Sequence, residues 1–352
     1  MTRVLLTGAA GFIGSQIREL LARRGVDVVA VDALIPQAHS SGAAPRGIRR
    51  IDVRDLDALT DMLAGIDVVC HQAAMVGMGT DMSDAPLYAG HNDLGTATLL
   101  AAMDRTGCRR LVLASSMVVY GHGALRGPGG ELVTYPPARR RADLDAGDYE
   151  PHLPDGRPTS WALTTEDAPL TPTSIYAASK VAQENYVRAW SITTGGSAIA
   201  LRYHNVYGPG MPRDTPYAGV ASIFRSRLER GLAPMVFEDG GQMRDFVHVS
   251  DVAAANAAAI ELLLARPSQE FTPLNICSGQ PVSVGEVATI LSGHRGGPVP
   301  VITGEVRPAD VRHIVADPAR ARATLGFAAC ISPEEGLREF ADARLRPSVG
   351  VG

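Results

Sequence analysis

The 352-residue sequence predicts an α/β fold: a doubly wound parallel sheet followed by a smaller mixed α/β C-terminal unit. Three observations predict it. Short apolar runs alternate with amphipathic helical stretches through the first half of the chain. A glycine-rich turn joins the first run to the first helix. Beyond residue 207 the alternation gives way to irregular sequence punctuated by Gly and Pro.

The strands are expected at Arg3–Thr7, Asp27–Val31, Ile48–Asp52, Val68–Gln72, Arg110–Ala114 and Ala198–Tyr203. Apolar runs of this length suit a parallel sheet covered on both faces. Helices are expected between them at Phe12–Arg24, Leu56–Leu63, Asn92–Arg105 and Ser174–Thr193. Residues 121–172 form a long Gly/Pro-rich connection, and connections of that length tend to be functional lids or disordered insertions.

Composition narrows the function classes. With 45% hydrophobic and 20% charged residues, the chain is an ordinary globular one. A net charge of −4 offers no basic footprint for nucleic acid. The cluster Arg139-Arg140-Arg141 is followed by Asp143, Asp145, Asp148 and Glu150, so it reads as a solvated, mixed-charge loop. Cys70, Cys108, Cys277 and Cys330 are too scattered for a metal site or a disulfide framework. Cys70 and Cys277 lie in apolar runs, where buried reduced thiols are usual. No apolar stretch reaches the length of a membrane span, and the chain enters a strand at Arg3 without a leader. A soluble, cytoplasmic protein with no membrane or nucleic-acid partner is expected.

Gly8-Ala9-Ala10-Gly11-Phe12-Ile13-Gly14 follows the first strand and opens the first helix. Glycines there permit a tight turn and a close backbone approach to a pyrophosphate, which the helix N-terminus attracts. The second strand ends in Asp32, where a carboxylate can hold the adenosine ribose hydroxyls. It would repel a 2′-phosphate, so NAD is favoured over NADP. Asp52, at the end of the next strand, is placed to reach the adenine edge. The domain division then puts residues 1–206, with about 244–265, in an NAD-binding Rossmann domain carrying the 121–172 insertion. Residues 207–243 and 266–345 form the smaller substrate domain.

Lys180 is the only lysine in the chain; every other basic side chain of the Lys/Arg class is arginine. Lysine is a compact charge with a tunable proton, which arginine is not. Tyr176 lies four residues upstream and so shares a helix face with it. An ammonium beside a phenol favours the phenolate and lowers its pKa from about 10. That pair is a candidate general base; an ordinary surface helix pair is the other reading of the spacing taken alone.

With Thr7–Gly14, Asp52–Asp55, His71-Gln72-Ala73-Ala74, Ser115–Gly121, Tyr176–Lys180, Arg202–Gly210 and Arg244–Val252 in this order, the chain resembles the extended short-chain dehydrogenase/reductases. The likeness is to their nucleotide-sugar epimerase/dehydratase branch and extends from Thr7 to about Asp310. The long 121–172 segment, with the runs Tyr217–Phe224 and Phe237–Gly240, resembles the subgroup that includes the dTDP-L-rhamnose 4-epimerases, beside the UDP-sugar 4-epimerases.

The resemblance implies that Tyr176 is the acid/base on a sugar hydroxyl, that Lys180 holds the nicotinamide ribose, and that Ser116 hydrogen-bonds the reacting oxygen. Asn92 would support the active-site helix, a role compatible with a helix N-cap. Phe12, Ile13, Val53, Ala73, Ala74, Ser115 and Tyr203 would join the NAD contacts. Asn205, Arg244 and Arg307 would grip the substrate diphosphate, with Asp310 near its ribose. His204 stands where an aromatic residue is common. No metal is implied, and a homodimer is expected through the helices beginning near Asn92 and Ser174.

The implied reaction is 4-epimerisation of a dTDP- or UDP-hexose through a 4-keto sugar. Dehydratases of the branch carry Asp-Glu where this chain has Met117-Val118, which can neither remove nor supply a proton. A 4-ketoreductase or dehydrogenase shares the Ser/Tyr/Lys set and is the alternative. A non-catalytic dinucleotide sensor would typically have lost the Tyr/Lys pair.

Overall fold

The computed structural model describes residues 2–36, 39, 45–77, 81–133, 135–213, 219–266, 269–307 and 310–346. Its centre is a parallel sheet of seven strands: β1 (Arg3–Thr7), β2 (Asp27–Asp32), β3 (Ile48–Arg50), β4 (Val68–His71), β5 (Arg110–Ser116), β6 (Ser197–Tyr203) and β7 (Phe271–Ile276). The spatial order is β7-β6-β5-β4-β1-β2-β3. The winding reverses between β1 and β4, so a crevice opens beyond the carboxyl ends of those strands, where ligands of such sheets bind.

Side chains alternate across each strand and feed two cores. Val4, Leu6, Val112 and Leu201 pack with Ile17 and Leu21 of helix Phe12–Arg23 and with Val252 and Ile260 of helix Val249–Ala265. Leu5, Val69, Leu111 and Leu113 face the opposite way, onto Leu99 and Met103 of helix Gly95–Thr106 and Val187 and Trp190 of helix Ile175–Thr194. A third core, with Tyr207, Phe224, Phe246, Leu291, Leu337 and Phe340, belongs to the C-terminal unit.

Three features differ from the sequence reading. Phe271–Ile276 falls in the stretch assigned to the substrate domain, yet it pairs with β6 as an edge strand of the central sheet. Pro273 hides it, because proline is tolerated in a strand chiefly at an edge. Residues 121–172 are built rather than loose. They hold an antiparallel sheet of Leu132–Val133, Ala124–Arg126 and Ser160–Ala162, with a short helix at Arg141–Asp145. Asn92 is no N-cap: it lies inside a π-helical stretch, Ala89–Leu94, within a continuous helical rod that runs on to Thr106. Of the Tyr217–Phe224 run, Tyr217 and Ala218 lie outside the described residues, and Gly219 opens helix Val220–Glu229.

Candidate active site

The glycine turn is a cradle that side chains would fill. Gly8 has φ +65°, and a Cβ on it would lie 2.7 Å from the Ala73 backbone nitrogen. A Cβ on Gly14 would lie 2.1 Å from the Gly8 carbonyl oxygen, which is inside contact distance. No side chain caps the first turn of helix Phe12–Arg23. Its leading N–H groups and positive dipole end therefore stay open to an anion. The cradle fits a dinucleotide pyrophosphate, with Gly8, Gly11, Phe12, Ile13 and Gly14 on one side and the Ala73-Ala74 main chain on the other.

Asp32 is buried at the end of β2 and accepts from Ala10 N (3.0 Å) and Leu34 N (2.8 Å). Burial works against its ionisation, but hydrogen bonds from His39, Leu34 and Ala10 win, and its pKa falls below the usual carboxylate value. It is thus an anchored carboxylate beside the cradle. Asp52 is tied up differently: Arg54 grips it through Nε (2.9 Å) and Nη2 (2.5 Å). That bidentate pair holds its pKa down and commits the side chain expected at the adenine edge. Val53 is buried, and a Cβ on Gly95 would come within 2.7 Å of its Cγ2.

Below the cradle runs a polar relay that sequence reasoning missed. Thr7 Oγ1 accepts from Gln72 N (3.2 Å) and Ala73 N (3.1 Å), so its own proton goes to His71 Nδ1 at 2.8 Å. His71 Nε2 is then the donor to Thr96 Oγ1 (3.2 Å), which also accepts from Gln183 (2.6 Å). Burial, with the charge of Lys180, pushes His71 down to about 3, so it stays neutral. The His-Gln-Ala-Ala motif was the available signal. Asn92 ties two segments together by accepting from Met75 N (2.7 Å) and donating to Met75 O (3.0 Å) and Ser179 Oγ (2.8 Å).

Ser174 caps the Tyr176 helix by accepting from Ala177 N at 3.1 Å. Tyr176 therefore sits in the first turn of that helix, where the Ser116 hydroxyl acts to lower the pKa of its phenol. Lys180 is buried and donates to the Ala114 carbonyl at 2.9 Å, with Nζ 5.9 Å from the Tyr176 ring centre. The electrostatics differ from the sequence expectation. Burial raises Tyr176 to about 12 against the opposing Ser116 hydrogen bond, while burial lowers Lys180 to about 7. In the NAD-free protein the phenol is thus held protonated, because desolvation is the largest influence on it.

Ser115 and Ser116 point apart, as neighbours on a strand must. Ser115 donates to Glu184 (2.5 Å), which is the buried partner of Arg202 at 2.7 Å. The Ser115 hydroxyl thus serves the sheet rather than the Tyr176 cluster. The Tyr203 phenol is likewise committed, donating to Gln72 (3.1 Å) and accepting from Asn256 (2.8 Å).

On the substrate side, the buried Asn205 Oδ1 has no hydrogen-bond partner among the described residues. Arg244, Arg307 and Asp310 share one electrostatic environment: burial raises Asp310 while Arg307 and Arg244 pull it back. Burial also lowers Arg244 to about 10; its guanidinium donates to the carbonyls of Met243, Val311 and Arg312. Arg307 lies over the Phe237 ring at 4.3 Å. The two nitrogens of His204 are buried without hydrogen-bond partners among the described residues, and burial pushes it down to about 3.

The insertion docks here through a cluster the sequence reading did not anticipate. Arg312 binds Glu150 (2.6 Å), Glu238 (2.9 Å) and Asp239 (2.7 Å), and Arg139 binds Glu238 at 2.8 Å. Arg139 is therefore no solvated loop residue. Arg140, preceding the short helix, and Arg141, opening it, are exposed, each paired with a nearby aspartate.

A parallel sheet with an open glycine cradle, an anchored carboxylate at the end of β2 and Ser116, Tyr176 and Lys180 near the end of β5 is the arrangement of a dinucleotide-dependent enzyme of the extended short-chain dehydrogenase/reductase class. The family model described as the NAD dependent epimerase/dehydratase family matches residues 4–142 and 153–277, and the chain belongs to that family. It is 36% identical over 351 residues to a dTDP-L-rhamnose 4-epimerase of Burkholderia thailandensis, covering 96% of this chain and 93% of that protein. Among solved structures it resembles MoeE5 in complex with UDP-glucuronic acid and NAD (TM-score 0.75, 31% identity, 97% of this chain and 98% of that one). It also resembles UDP-glucose 4-epimerase of Thermus thermophilus in complex with NAD (TM-score 0.73, 31% identity, 97% and 98%). NAD is thus the cofactor, and the cradle fits it. Among the described residues no cluster suits a metal ion, and no helix is long and apolar enough to cross a membrane.

Proposed function

We propose that this isomerase inverts carbon 4 of a dTDP- or UDP-linked hexose and uses NAD without consuming it. The observation that carries the reading is Tyr176 and buried Lys180 on one helix face, with Lys180 Nζ on the Ala114 carbonyl and 5.9 Å from the Tyr176 ring centre. Met117 and Val118 follow Ser116, so no acidic pair stands there to eliminate a hydroxyl.

Ser116 would hold the oxygen on carbon 4. Tyr176 would take its proton and later return it, which is general acid–base work. NAD, when bound, supplies a hydride acceptor and a positive ring that favours the phenolate. Lys180 would hold the nicotinamide ribose, and its neutral-to-charged balance near pH 7 lets it follow charge changes at Tyr176. Asn205, Arg244 and Arg307 would grip the nucleotide diphosphate, with Asp310 at its ribose. The 121–172 insertion would wall the sugar as a fixed rim, because the Arg312 cluster ties it down. A dTDP-6-deoxyhexose is the first substrate to test, given the Burkholderia relative.

A cytoplasmic homodimer is the associated proposal. Buried free Cys70, Cys108 and Cys277 suit a reducing compartment. Leu94, Tyr186 and Ile192 stand exposed on the two helices expected to pair.

The test is to denature the purified protein, identify released NAD, and offer the native enzyme a panel of nucleotide sugars without added cofactor. Turnover is expected without added NAD. Absolute dependence on stoichiometric NAD or NADH would instead support the ketoreductase or dehydrogenase alternative.

A further inference from the structure

Arg346 comes from the far end of the chain and reaches the dinucleotide turn. Its Nη1 donates to the Ala10 carbonyl (2.6 Å), and its Nη2 donates to the Gly11 carbonyl (3.0 Å) and to Ser15 Oγ (2.7 Å). The backbone around it is fixed as well. Arg346 N donates to Met211 O (3.0 Å), Arg213 N donates to Arg346 O (3.2 Å), and Gly210 N donates to Arg344 O (2.8 Å). The guanidinium is desolvated enough that burial lowers its pKa, against the attraction of Asp32.

The C=O and N–H of a trans peptide point in opposite directions. Gripping the Gly11 carbonyl therefore sets the direction of the Phe12 N–H, and gripping the Ala10 carbonyl sets that of the Gly11 N–H. The Gly11 N–H is already spent on the Gly8 carbonyl at 3.0 Å. The Phe12 N–H opens a helix turn with no side-chain cap and faces away from the guanidinium. A charged donor on the carbonyl side also polarises the peptide and strengthens its N–H as a donor. The fork geometry matters: two adjacent carbonyls and a hydroxyl are held at once, which a lysine cannot do.

We propose that Arg346 is a positioning residue for the cofactor, aiming the Phe12 amide at the NAD pyrophosphate and linking the C-terminal segment to NAD retention. The inference needs NAD binding alone and stands whichever sugar is the substrate. Failure of the epimerase reading would leave its readout intact.

The experiment compares Arg346→Met and Arg346→Lys with wild type, after NAD has been stripped and the dissociation constant of NAD measured by titration. Arg346→Met should weaken NAD binding about tenfold or more, and Arg346→Lys by an intermediate factor. At saturating NAD, kcat should stay within about twofold of wild type while the KM for NAD rises, since uniform binding is lost and chemistry is not. Arg346→Met also loses three hydrogen bonds, so its NAD-free thermal midpoint should fall. Titrating well below that midpoint, where the protein is fully folded, separates positioning from general stability. NAD affinity unchanged in both variants overturns the proposal, as does a kcat loss matching the affinity loss. Should Arg346→Met fail to fold, Arg346→Lys decides: a raised dissociation constant supports the proposal and an unchanged one sinks it.

Discussion

The cofactor cradle and the docking cluster of the insertion hold ligand-facing surfaces in place by opposite means. The cradle works through absent side chains: Gly8 and Gly14 admit backbone where a Cβ would collide. The cluster works through long charged side chains, with Arg139, Glu150, Glu238, Asp239 and Arg312 gathered across the insertion and the C-terminal unit. The difference teaches where each region is fragile. A cradle fails by gaining an atom, whereas a buried charge cluster fails by losing one, because the remaining partner is left unpaired.

The largest effect is expected where the cradle meets the chemistry. Tyr176→Phe should lower kcat by about 10²–10⁴-fold, the usual weight of a positioned acid/base. NAD should still be found in the denatured protein, so chemistry breaks while the cradle survives. Activity within tenfold of wild type would remove Tyr176 from its role. Gly14→Val attacks the cradle itself and should abolish NAD retention, because its Cβ would enter the Gly8 carbonyl; a variant that copurifies with normal NAD would show that the turn can give way.

Breaking the charge cluster should leave the cofactor in place and cost stability. Arg312→Met removes one of the two arginines on buried Glu238, leaving Arg139, and should destabilise the protein by about 1.5–3 kcal/mol in denaturant titration. NAD copurification should be unchanged. A loss below about 1 kcal/mol would mean that the cluster behaves as a surface network. Arg140→Ala, by contrast, removes an exposed partner of Asp143 and should leave thermal stability unaltered.

A finer probe uses the solitary lysine. Labelled lysine gives a single side-chain resonance, which in the NAD-free protein should titrate near 7 because burial depresses it. Between about 7 and the ordinary 10.5, the unfolded chain then binds more protons than the folded one. The contribution of Lys180 to stability accordingly rises with pH across that window. A midpoint above 10 would place the ammonium in a more solvated site than the structure gives it.

Much of the first region was legible in the sequence and little of the second. The glycine spacing, Asp32 at a strand end, and the i, i+4 relation of Tyr176 and Lys180 are local patterns that backbone geometry alone translates into a site. Strand β7 was hidden by Pro273, and the π-helical turn around Asn92 by a sequence that reads as ordinary helix. The Arg312 cluster joins residues 150, 238 and 312, and Arg346 meets Gly11, so nothing in the spacing announces either contact. The acidity of Tyr176 also escaped the reading, because two residues on one helix face do not reveal how much water the fold removes from them.

The central claim is that hydride leaves carbon 4 and returns to the same carbon within one enzyme-bound cycle. A nucleotide sugar carrying deuterium at carbon 4, incubated with the purified enzyme and no added NAD, tests it directly. The carbon 4 epimer should form with deuterium still on carbon 4. Deuterium lost to water, or a reaction that waits for stoichiometric NAD or NADH, would contradict it.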